Sequence, residues 1–536
     1  MLPDGRDAVV MGDERGFRRL LEDGSMTETS TDELRPLRYA RSPVSAVGRA
    51  PVYVVGVQFP DLQATEPLAS VVQRMTETVG AYIDEASRGA LHLDFIGLTD
   101  EWITACHSQA FYGADGTGVD DRNQAIYELA REAITAVDSF VDFRTLDADG
   151  NGLLQMGEAH IAVVHAGNDQ ASTGRGDDIW SHRWWIYGPS TGGAETRLDG
   201  VLISEPNAPG NEASAGYVMV ALSDPVGVMV HELLHSFGAP DLYDVSGGNA
   251  IAVGPWSVMD IGLWLGSPQG SQPCRPGGYL EWDIDAEPAT GVSGWSTPTY
   301  LYDGTHTIPT LGTGNGDVQI VMTLVDSEYF LLENRSQTGL DAALSEAGIL
   351  IYHVDTSQPV NNVESMWPFR VWLEDPGDRS YKRGAAYAEE DGPSQTAFTP
   401  ATSPSSDSNR GMATGIAITA IGPRSPCMPF RLQGAGLPPE VPHLLSWPEG
   451  RLKAGPWPAR PGGTLEVILP MPAPPGSRID LVDMAGRRLA VGSLTAGQSR
   501  YSLHVPQGIR SGVFILLYRA SDAAHTAPVL VLHPSR

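Results

Sequence analysis

The sequence predicts an α+β domain followed by all-β sandwich domains. Between residues 51 and 290, strand-like stretches alternate with stretches whose apolar residues recur every three to four positions, as on one face of a helix. Beyond residue 290, strand-like stretches follow one another directly, with Gly, Pro, Asp and Ser between them. The 60 Gly and 41 Pro of this 536-residue chain are typical of such turn-rich domains.

Length and charge limit the possible classes of protein. A chain of 536 residues is too long for one hydrophobic core, and its hydrophobic content of 41% is ordinary for globular proteins. The net charge of −30 argues against nucleic acid or anionic membranes as partners and favours a secreted protein. No run approaches the roughly 18 apolar residues of a membrane span.

Cysteines and the N-terminus give little guidance. Cys106, Cys274 and Cys427 allow at most one disulfide and lack CxxC spacing, so neither a disulfide framework nor thiol chemistry is expected. The first residues, MLPDGRDAVVMGDERG, contain no apolar stretch of signal-peptide length, which taken literally implies a cytoplasmic protein.

One predicted helix carries two histidines four residues apart, in the sequence HELLHSFGAPDLYD that starts at His231. Residues at i and i+4 share a helix face, so His231 and His235 suit the first two ligands of a tetrahedral zinc ion. Glu232 is placed to take a proton from a zinc-bound water. The helix is predicted to begin with Asp224 as N-cap and to end at Gly238, which can adopt a positive φ. The alternative is an amphipathic helix with hydrogen-bonded core histidines.

The spacing HExxHxxGxxD resembles that of the metzincin zinc peptidases. There the glycine, here Gly238, lets the chain reverse so that a third ligand ten residues after the first reaches the metal. Most such families place His at that position, whereas this chain has Asp241, whose carboxylate is also an acceptable zinc ligand. Metzincins carry a Met-turn beneath the metal, and Met259 in GPWSVMDIG is the candidate, eighteen residues after Asp241.

Residues 147–158 match a calcium-binding loop of the form D-x-[DN]-x-[DN]-G-x5-E. Oxygen atoms at alternate positions surround the ion in such loops, with one main-chain carbonyl and a bidentate Glu. The alternative is a turn without an ion. Because the following AHIAVVHAG predicts a strand rather than a helix, we expect a structural ion. The expected calcium ligands are Asp147, Asp149, Asn151, Leu153 through its carbonyl, and Glu158, with Gly152 at the sharp turn.

Several stretches between about residues 51 and 425 resemble, in order, the immune inhibitor A family of secreted bacterial metallopeptidases. The resemblance implies that His231, His235 and Asp241 bind zinc and that Glu232 is the general base. It also implies a calcium-stabilised catalytic domain with a β-sandwich behind it. The stretches are VGVQFPD, YIDEASRGALHL, VDFRTLDADGNG, VVHAG, IWSHRW, HELLHSFGAPDLYD, WSVMDIG, EYFLLENRSQTGLD and GILIYHVD.

The last module resembles the Ig-like C-terminal sorting domain of type IX secretion cargo, through DMAGRRL and SGVFILLYR. The alternative is any small adhesion or spacer sandwich. The resemblance implies contact with the cell surface or the secretion machinery. It also favours a secreted or cell-surface location, with an export signal upstream of Met1 or removed from this sequence.

These patterns divide the chain into five parts. Residues 1–50 have two open interpretations, a disordered leader or the remnant of a prosegment, with short helices expected within 15–24 and 31–41. Glu333, Asn334 and Arg335 are expected to form a buried polar network or a contact with the catalytic domain. The other predicted parts are a catalytic domain at 51–290, a β-sandwich at 291–433, a Pro/Gly-rich linker at 434–456 and an Ig-like domain at 457–536.

The function expected from these patterns is that of a monomeric, secreted zinc endopeptidase acting on proteins or peptides. The alternative is a non-catalytic, calcium-binding surface adhesin on a peptidase scaffold. An intact Glu232 argues against the adhesin, because loss of activity commonly removes the base or a ligand. His182, among the tryptophans of DDIWSHRWWIYG, is interpreted as a packing or cleft residue and left out of the metal site.

Overall fold

The structure, a computed structural model, describes most of the chain. The part before residue 46 is described as three short antiparallel strands, β1 (Val10–Asp13), β2 (Gly16–Leu20) and β3 (Met26–Glu28). The helix expected within 15–24 is therefore wrong, because β2 pairs with strands on both sides; the one expected within 31–41 lies outside the described residues. Outside the description are residues 1–9, 14–15, 21–25, 29–45, 115–124, 155–157, 186–195, 205–215, 246–250, 284–294, 297, 302, 315, 323–327, 356–357, 359–360, 362–368, 378–381, 383, 410, 436–452, 456–462, 470–476, 483–487, 497, 499, 508–511, 520–523 and 532–536.

A six-stranded, mostly parallel sheet forms the centre of the chain between residues 48 and 283. This part of the chain contains the strands β4 (Gly48–Gln58), β5 (Leu91–Gly97), β6 (Ile103–Thr104), β7 (His160–His165), β8 (His182–Trp185), β9 (Thr196–Leu198), β10 (Val201–Ser204) and β11 (Gly216–Ala221), of which all but β9 and β10 belong to the sheet. The sheet order is β5-β4-β7-β11-β8, with β6 beside β4. β8 runs antiparallel at one edge, and β9 and β10 form a separate hairpin.

Helices cover both faces of this sheet. They are α1 (Leu68–Met75), α2 (Ala81–Ala86), α3 (Gln109–Gly113), α4 (Ala125–Ala136), α5 (Gln170–Thr173), α6 (Val226–His235) and α7 (Gly278–Asp283), with a π-helical turn at Thr76–Gly80 between α1 and α2. Successive side chains of a strand point to opposite faces of the sheet, so β4 contributes side chains to two hydrophobic cores. Val52 and Val54 pack with α1, α2 and α6, whereas Val55 and Val57 pack with α4.

Two further sheets follow between residues 299 and 433. The strands are β12 (Thr299–Tyr300), β13 (Gly304–Pro309), β14 (Val318–Met322), β15 (Glu328–Arg335), β16 (Gly348–Asp355), β17 (Val371–Leu373), β18 (Ala417–Thr419) and β19 (Cys427–Gln433). They form sheets of order β12-β14-β15-β16-β17 and β13-β19-β18. Phe330 and Ile351 face a core shared with the three-stranded sheet, while Leu331 and Tyr352 face the core that contains α6. The five-stranded sheet is thus buried on both faces.

The last part of the chain forms two antiparallel sheets, of order β20-β21-β24 and β23-β22-β25-β26. Their strands are β20 (Lys453–Gly455), β21 (Thr464–Ile468), β22 (Arg478–Val482), β23 (Arg488–Ser493), β24 (Arg500–His504), β25 (Gly512–Arg519) and β26 (Ala524–Val531). The three cysteines are free. Within the described ranges, no helix is long and apolar enough to cross a membrane.

The short 3-10 helices lie outside these regular elements. Two of them flank the predicted Met-turn. The 3-10 helices described are Phe143–Thr145, Gly254–Trp256, Ile261–Trp264, Gly339–Asp341, Glu389–Asp391 and Pro393–Gln395.

Candidate metal centre

Helix α6 presents the two histidines from a buried position, since eight of its ten residues are buried. The helix begins after Pro225, so the prediction of Asp224 as N-cap is wrong. The Asp224 carboxylate instead accepts hydrogen bonds from the Ser181 hydroxyl and the Ala221 main-chain N–H, both at 2.7 Å. Gly238 has a φ of +86°, which confirms the expected turn after the helix.

Three potential ligands meet beyond this turn. Nε2 of His231 and Nε2 of His235 each lie 3.2 Å from Oδ1 of Asp241. His231 is buried, and His235 and Asp241 are half-buried.

The donor atoms of this cluster fit a cation. Nδ1 of His231 lies 2.9 Å from the Val258 main-chain oxygen, and Nδ1 of His235 lies 2.7 Å from that of Ala239. An Nδ1 that donates to a carbonyl leaves Nε2 of a neutral imidazole with its lone pair free. Both lone pairs then face Oδ1 of Asp241, a buried atom with no hydrogen-bond partner. Converging lone pairs repel one another unless a cation lies between them, and His and Asp are ligands that zinc accepts.

The segment around Met259 forms the floor beside this cluster. The Met259 side chain is fully buried, and its main-chain oxygen accepts a hydrogen bond from the Leu242 N–H at 2.8 Å. Its neighbour Val258 supplies the carbonyl that orients His231. Main-chain groups of this segment therefore hold both a potential ligand on α6 and the segment that carries Asp241.

Glu232 lies next to the cluster in sequence and is buried on α6. Burial raises the pKa of Glu232 to about 8; the nearby His231 opposes this rise and the Asp241 carboxylate adds to it. A cation bound by the neighbouring ligands favours the ionised carboxylate. A carboxylate in this position can serve as a general base.

The comparison with protein families identifies this part of the chain. Residues 58–283 match the family model described as immune inhibitor A peptidase M6, catalytic domain. They form an M6 peptidase domain. The matched residues include α6, the turn at Gly238, Asp241 and Met259, so the whole cluster lies inside the M6 domain.

Two curated relatives resemble the same part of the chain. Immune inhibitor A of Bacillus thuringiensis subsp. alesti is 33% identical over 228 residues, which cover 40% of this chain and 32% of the relative. Pre-pro-metalloprotease PrtV of Vibrio cholerae serotype O1 is 30% identical over 193 residues, which cover 33% of this chain and 20% of the relative. The chain thus matches about a third or less of the length of these relatives. The match to a solved structure of OgpA from Akkermansia muciniphila covers 91% of this chain and 93% of the OgpA chain at 11% identity. The TM-score of 0.21 is too low to indicate a shared fold.

The predicted calcium loop forms a second acidic cluster in the M6 domain. Each of Asp147, Asp149 and Glu158 has one carboxylate oxygen that lies within 4.8 Å of those of the other two. The main-chain N–H groups of Asn151 and Gly152 donate to Asp147 at 3.1 and 2.8 Å. The loop is thus folded around its acidic side chains.

A glycine turn and a contact with the β9–β10 hairpin shape this loop. Gly152 has a φ of +80°, which suits the expected sharp turn. Leu153, whose carbonyl is the fourth expected ligand, forms an isolated bridge with Leu202 of β10, and the Leu153 N–H donates to Oδ1 of Asn151 at 2.8 Å. The hairpin of β9 and β10 therefore holds the middle of the loop.

His182 lies in β8. Its Nδ1 is 2.6 Å from the Trp180 main-chain oxygen, and its Nε2 is 3.1 Å from the Tyr217 hydroxyl. Burial lowers the pKa of His182 to about 3. Among the described residues His182 belongs to neither potential metal group.

Sequence reasoning missed two residues that shape the centre. The buried Asp260 accepts hydrogen bonds from the N–H groups of Val253, Gly254 and Ile261 and so fixes the loop around Met259. The buried Asn361 donates to the main-chain oxygen of Leu242, the residue after Asp241. Asp260 adjoins the predicted Met-turn and could have been considered, whereas Asn361 lies 120 positions beyond Asp241 and carries no local sequence signal.

Proposed function

We propose that this chain is a secreted, zinc-dependent endopeptidase that hydrolyses peptide bonds of proteins. One observation carries the proposal: His231, His235 and Asp241 bring two imidazole lone pairs and an unpartnered carboxylate oxygen together inside an M6 domain. Both curated relatives carry names that fit the proposal, Immune inhibitor A and a metalloprotease. The complete ligand set beside Glu232 disfavours the adhesin alternative.

In this proposal each side chain has one task. His231, His235 and Asp241 hold the ion, and the carbonyls of Val258 and Ala239 keep both Nε2 atoms directed at it. When bound, Zn²⁺ acts as a Lewis acid on the peptide carbonyl and lowers the pKa of water. Glu232 takes the proton of the attacking water and delivers it to the leaving amine. The apolar surroundings of α6 keep bulk water from Glu232.

The other parts of the chain are assigned by domain. We infer a metzincin-like catalytic domain at 51–290 and a β-sandwich at 291–433, supported by the packing of two sheets around one core. The acidic loop at 147–158 is proposed to bind a structural Ca²⁺. Residues 434–456 are proposed as a linker, except that Lys453–Gly455 pair as β20 with β21 and so belong to the sheets that follow. Residues 457–536 are proposed as a sorting or adhesion domain that directs the protein to the cell surface, supported by the two antiparallel sheets.

Replacement of Glu232 by Gln tests the mechanism. Glutamine keeps the shape of the side chain but cannot take a proton, so hydrolysis of casein is expected to fall by about 10²- to 10⁴-fold. Zinc content should stay that of the wild type, because Glu232 is not among the proposed ligands. The exposed Glu101→Gln serves as the matched control and should keep full activity. Full activity of Glu232→Gln would contradict the mechanism.

A further inference from the structure

The third proposed ligand lies on a segment without regular secondary structure. Residues 239–245 follow the turn at Gly238 and belong to no helix or strand. On one side the Leu242 N–H donates to the Met259 main-chain oxygen at 2.8 Å. On the other side the Leu242 oxygen accepts a hydrogen bond from the Asn361 side chain, also at 2.8 Å. Asp241, the residue before Leu242, is therefore placed by these two contacts.

Asn361 is built into the fold at this point. Its side chain is 2% exposed, and its Oδ1 accepts from the Val371 N–H at 2.9 Å. Its Nδ2 donates to the oxygens of Val371, at 3.0 Å, and of Leu242. In addition, the Val245 N–H donates to the Asn361 main-chain oxygen at 2.8 Å. Asn361 thus joins the middle and the last residue of the ligand segment, Leu242 and Val245, to β17.

The chemistry of these contacts requires an amide. The Val371 N–H needs an acceptor, which fixes the position of Oδ1, and two carbonyl oxygens then need two donors. A primary amide offers both donors and the acceptor on one short side chain. An aliphatic side chain would leave these buried main-chain groups of Leu242 and Val371 without partners.

We propose that Asn361 is a positioning residue for the metal centre, holding Asp241 within reach of the ion bound by His231 and His235. The inference rests on the proposed zinc site. It implies that β17, outside the M6 domain, completes the centre. Partners of metal ligands contribute about 10- to 100-fold to metal affinity. Because Asn361 acts through the main chain of a neighbour, the effect should lie near the lower end of that range.

The test compares two buried asparagines in the full-length chain. Asn334 is 1% exposed and donates through Nδ2 to the oxygens of Ile308 and Ser425, far from the ligand segment in sequence. Asn361→Ala is expected to weaken Zn²⁺ binding by about tenfold, measured by competition with a chromophoric chelator. It should also change the visible spectrum of the Co²⁺-loaded protein. Asn334→Ala should alter neither readout, although both variants lose buried hydrogen bonds.

The outcomes separate the inference from the proposed function. Equal zinc affinity of wild type and Asn361→Ala, or equal losses in Asn361→Ala and Asn334→Ala, would overturn the positioning role alone. A wild type that binds no zinc would overturn the proposed function and the inference with it. If Asn361→Ala does not fold, Asn361→Ser keeps one donor on a small side chain, and it should show a zinc affinity below that of the wild type. Wild-type affinity in folded Asn361→Ser would overturn the inference.

Discussion

Two buried histidines outside the metal centre respond differently to their surroundings. Burial, together with the smaller effect of the nearby Arg183, lowers the pKa of His160 to about 4. Burial acts on His353 in the same direction, but its two ring nitrogens lie 2.8 Å from Glu328 and 2.9 Å from Glu374. These carboxylates raise the pKa of His353 above its ordinary value. The carboxylates that contact His353 thus shift its pKa in the direction opposite to that of His160.

His160 should make the folded chain sensitive to acid. Its pKa in the folded chain, about 4, is below the ordinary 6.5, so between these values the unfolded chain binds a proton that the folded one does not. The free energy of unfolding should therefore fall as the pH falls from 6.5 towards 4. His160→Phe, which can keep the packing against Phe237, should lose about 2 kcal/mol less between pH 7 and pH 5 than the wild type.

Urea unfolding of both proteins at pH 7 and pH 5 measures this difference. All other titrating groups are common to the two proteins, so their contributions cancel in the comparison. Equal losses of stability on acidification would show that His160 does not resist protonation in the folded chain.

Elements differ in how far local sequence determines them. Helix α6 follows from its own apolar spacing, with Pro225 before it and Gly238 after it, and the sequence predicts it correctly apart from the cap. The segment that carries Asp241 follows from no local pattern, because its main chain is held by Met259 and Asn361. Spacing predicts that Asp241 approaches the histidines, but not which groups hold it there.

The acidic loop at 147–158 is an element whose stability should depend on calcium. A ligand that binds only the folded state stabilises it by about 2.7 kcal/mol at one hundred times its dissociation constant. For a domain of this size that corresponds to a rise in Tm of several degrees, roughly 2–4 °C per kcal/mol. Asp147→Asn should lose this response because it removes one carboxylate of the cluster.

Thermal unfolding with and without Ca²⁺ checks this expectation. Asp100→Asn, a change of an exposed carboxylate elsewhere, is the control and should respond as the wild type does. An unchanged Tm of the wild type in excess Ca²⁺ would show that the loop is a turn without an ion.

At the scale of the whole molecule, the M6 domain and the sheets that follow share one interior. Arg335 of β15 donates to the Trp256 main-chain oxygen at 2.8 Å and to Glu333 at 2.9 Å, and it pairs with Asp341. Asp341 in turn accepts from the Arg275 N–H at 3.0 Å. These side chains are all buried. The network contacts the segment just before Met259, so both expectations for Glu333 and Arg335, a buried network and a contact with the catalytic part, are confirmed.

The sequence predicts the strands and the zinc motif but not how the M6 domain and the sheets that follow pack against one another. HELLHSFGAPD is a local pattern, and alternating or apolar runs predict β4, β7 and β15. The shared core and the contacts of Arg335 and Asn361 join residues far apart in the chain. Such contacts depend on complementary shapes and paired polar groups on two surfaces, and neither surface shows its partner in its own sequence.

The central claim, a zinc peptidase, is tested most directly by counting metal and activity together. Elemental analysis of the purified chain should find about one zinc per molecule, bound by three protein ligands. Hydrolysis of casein should stop in the presence of a zinc chelator and return when zinc is restored. A folded chain without zinc, or cleavage that continues at full rate after the zinc has been removed, would contradict the account.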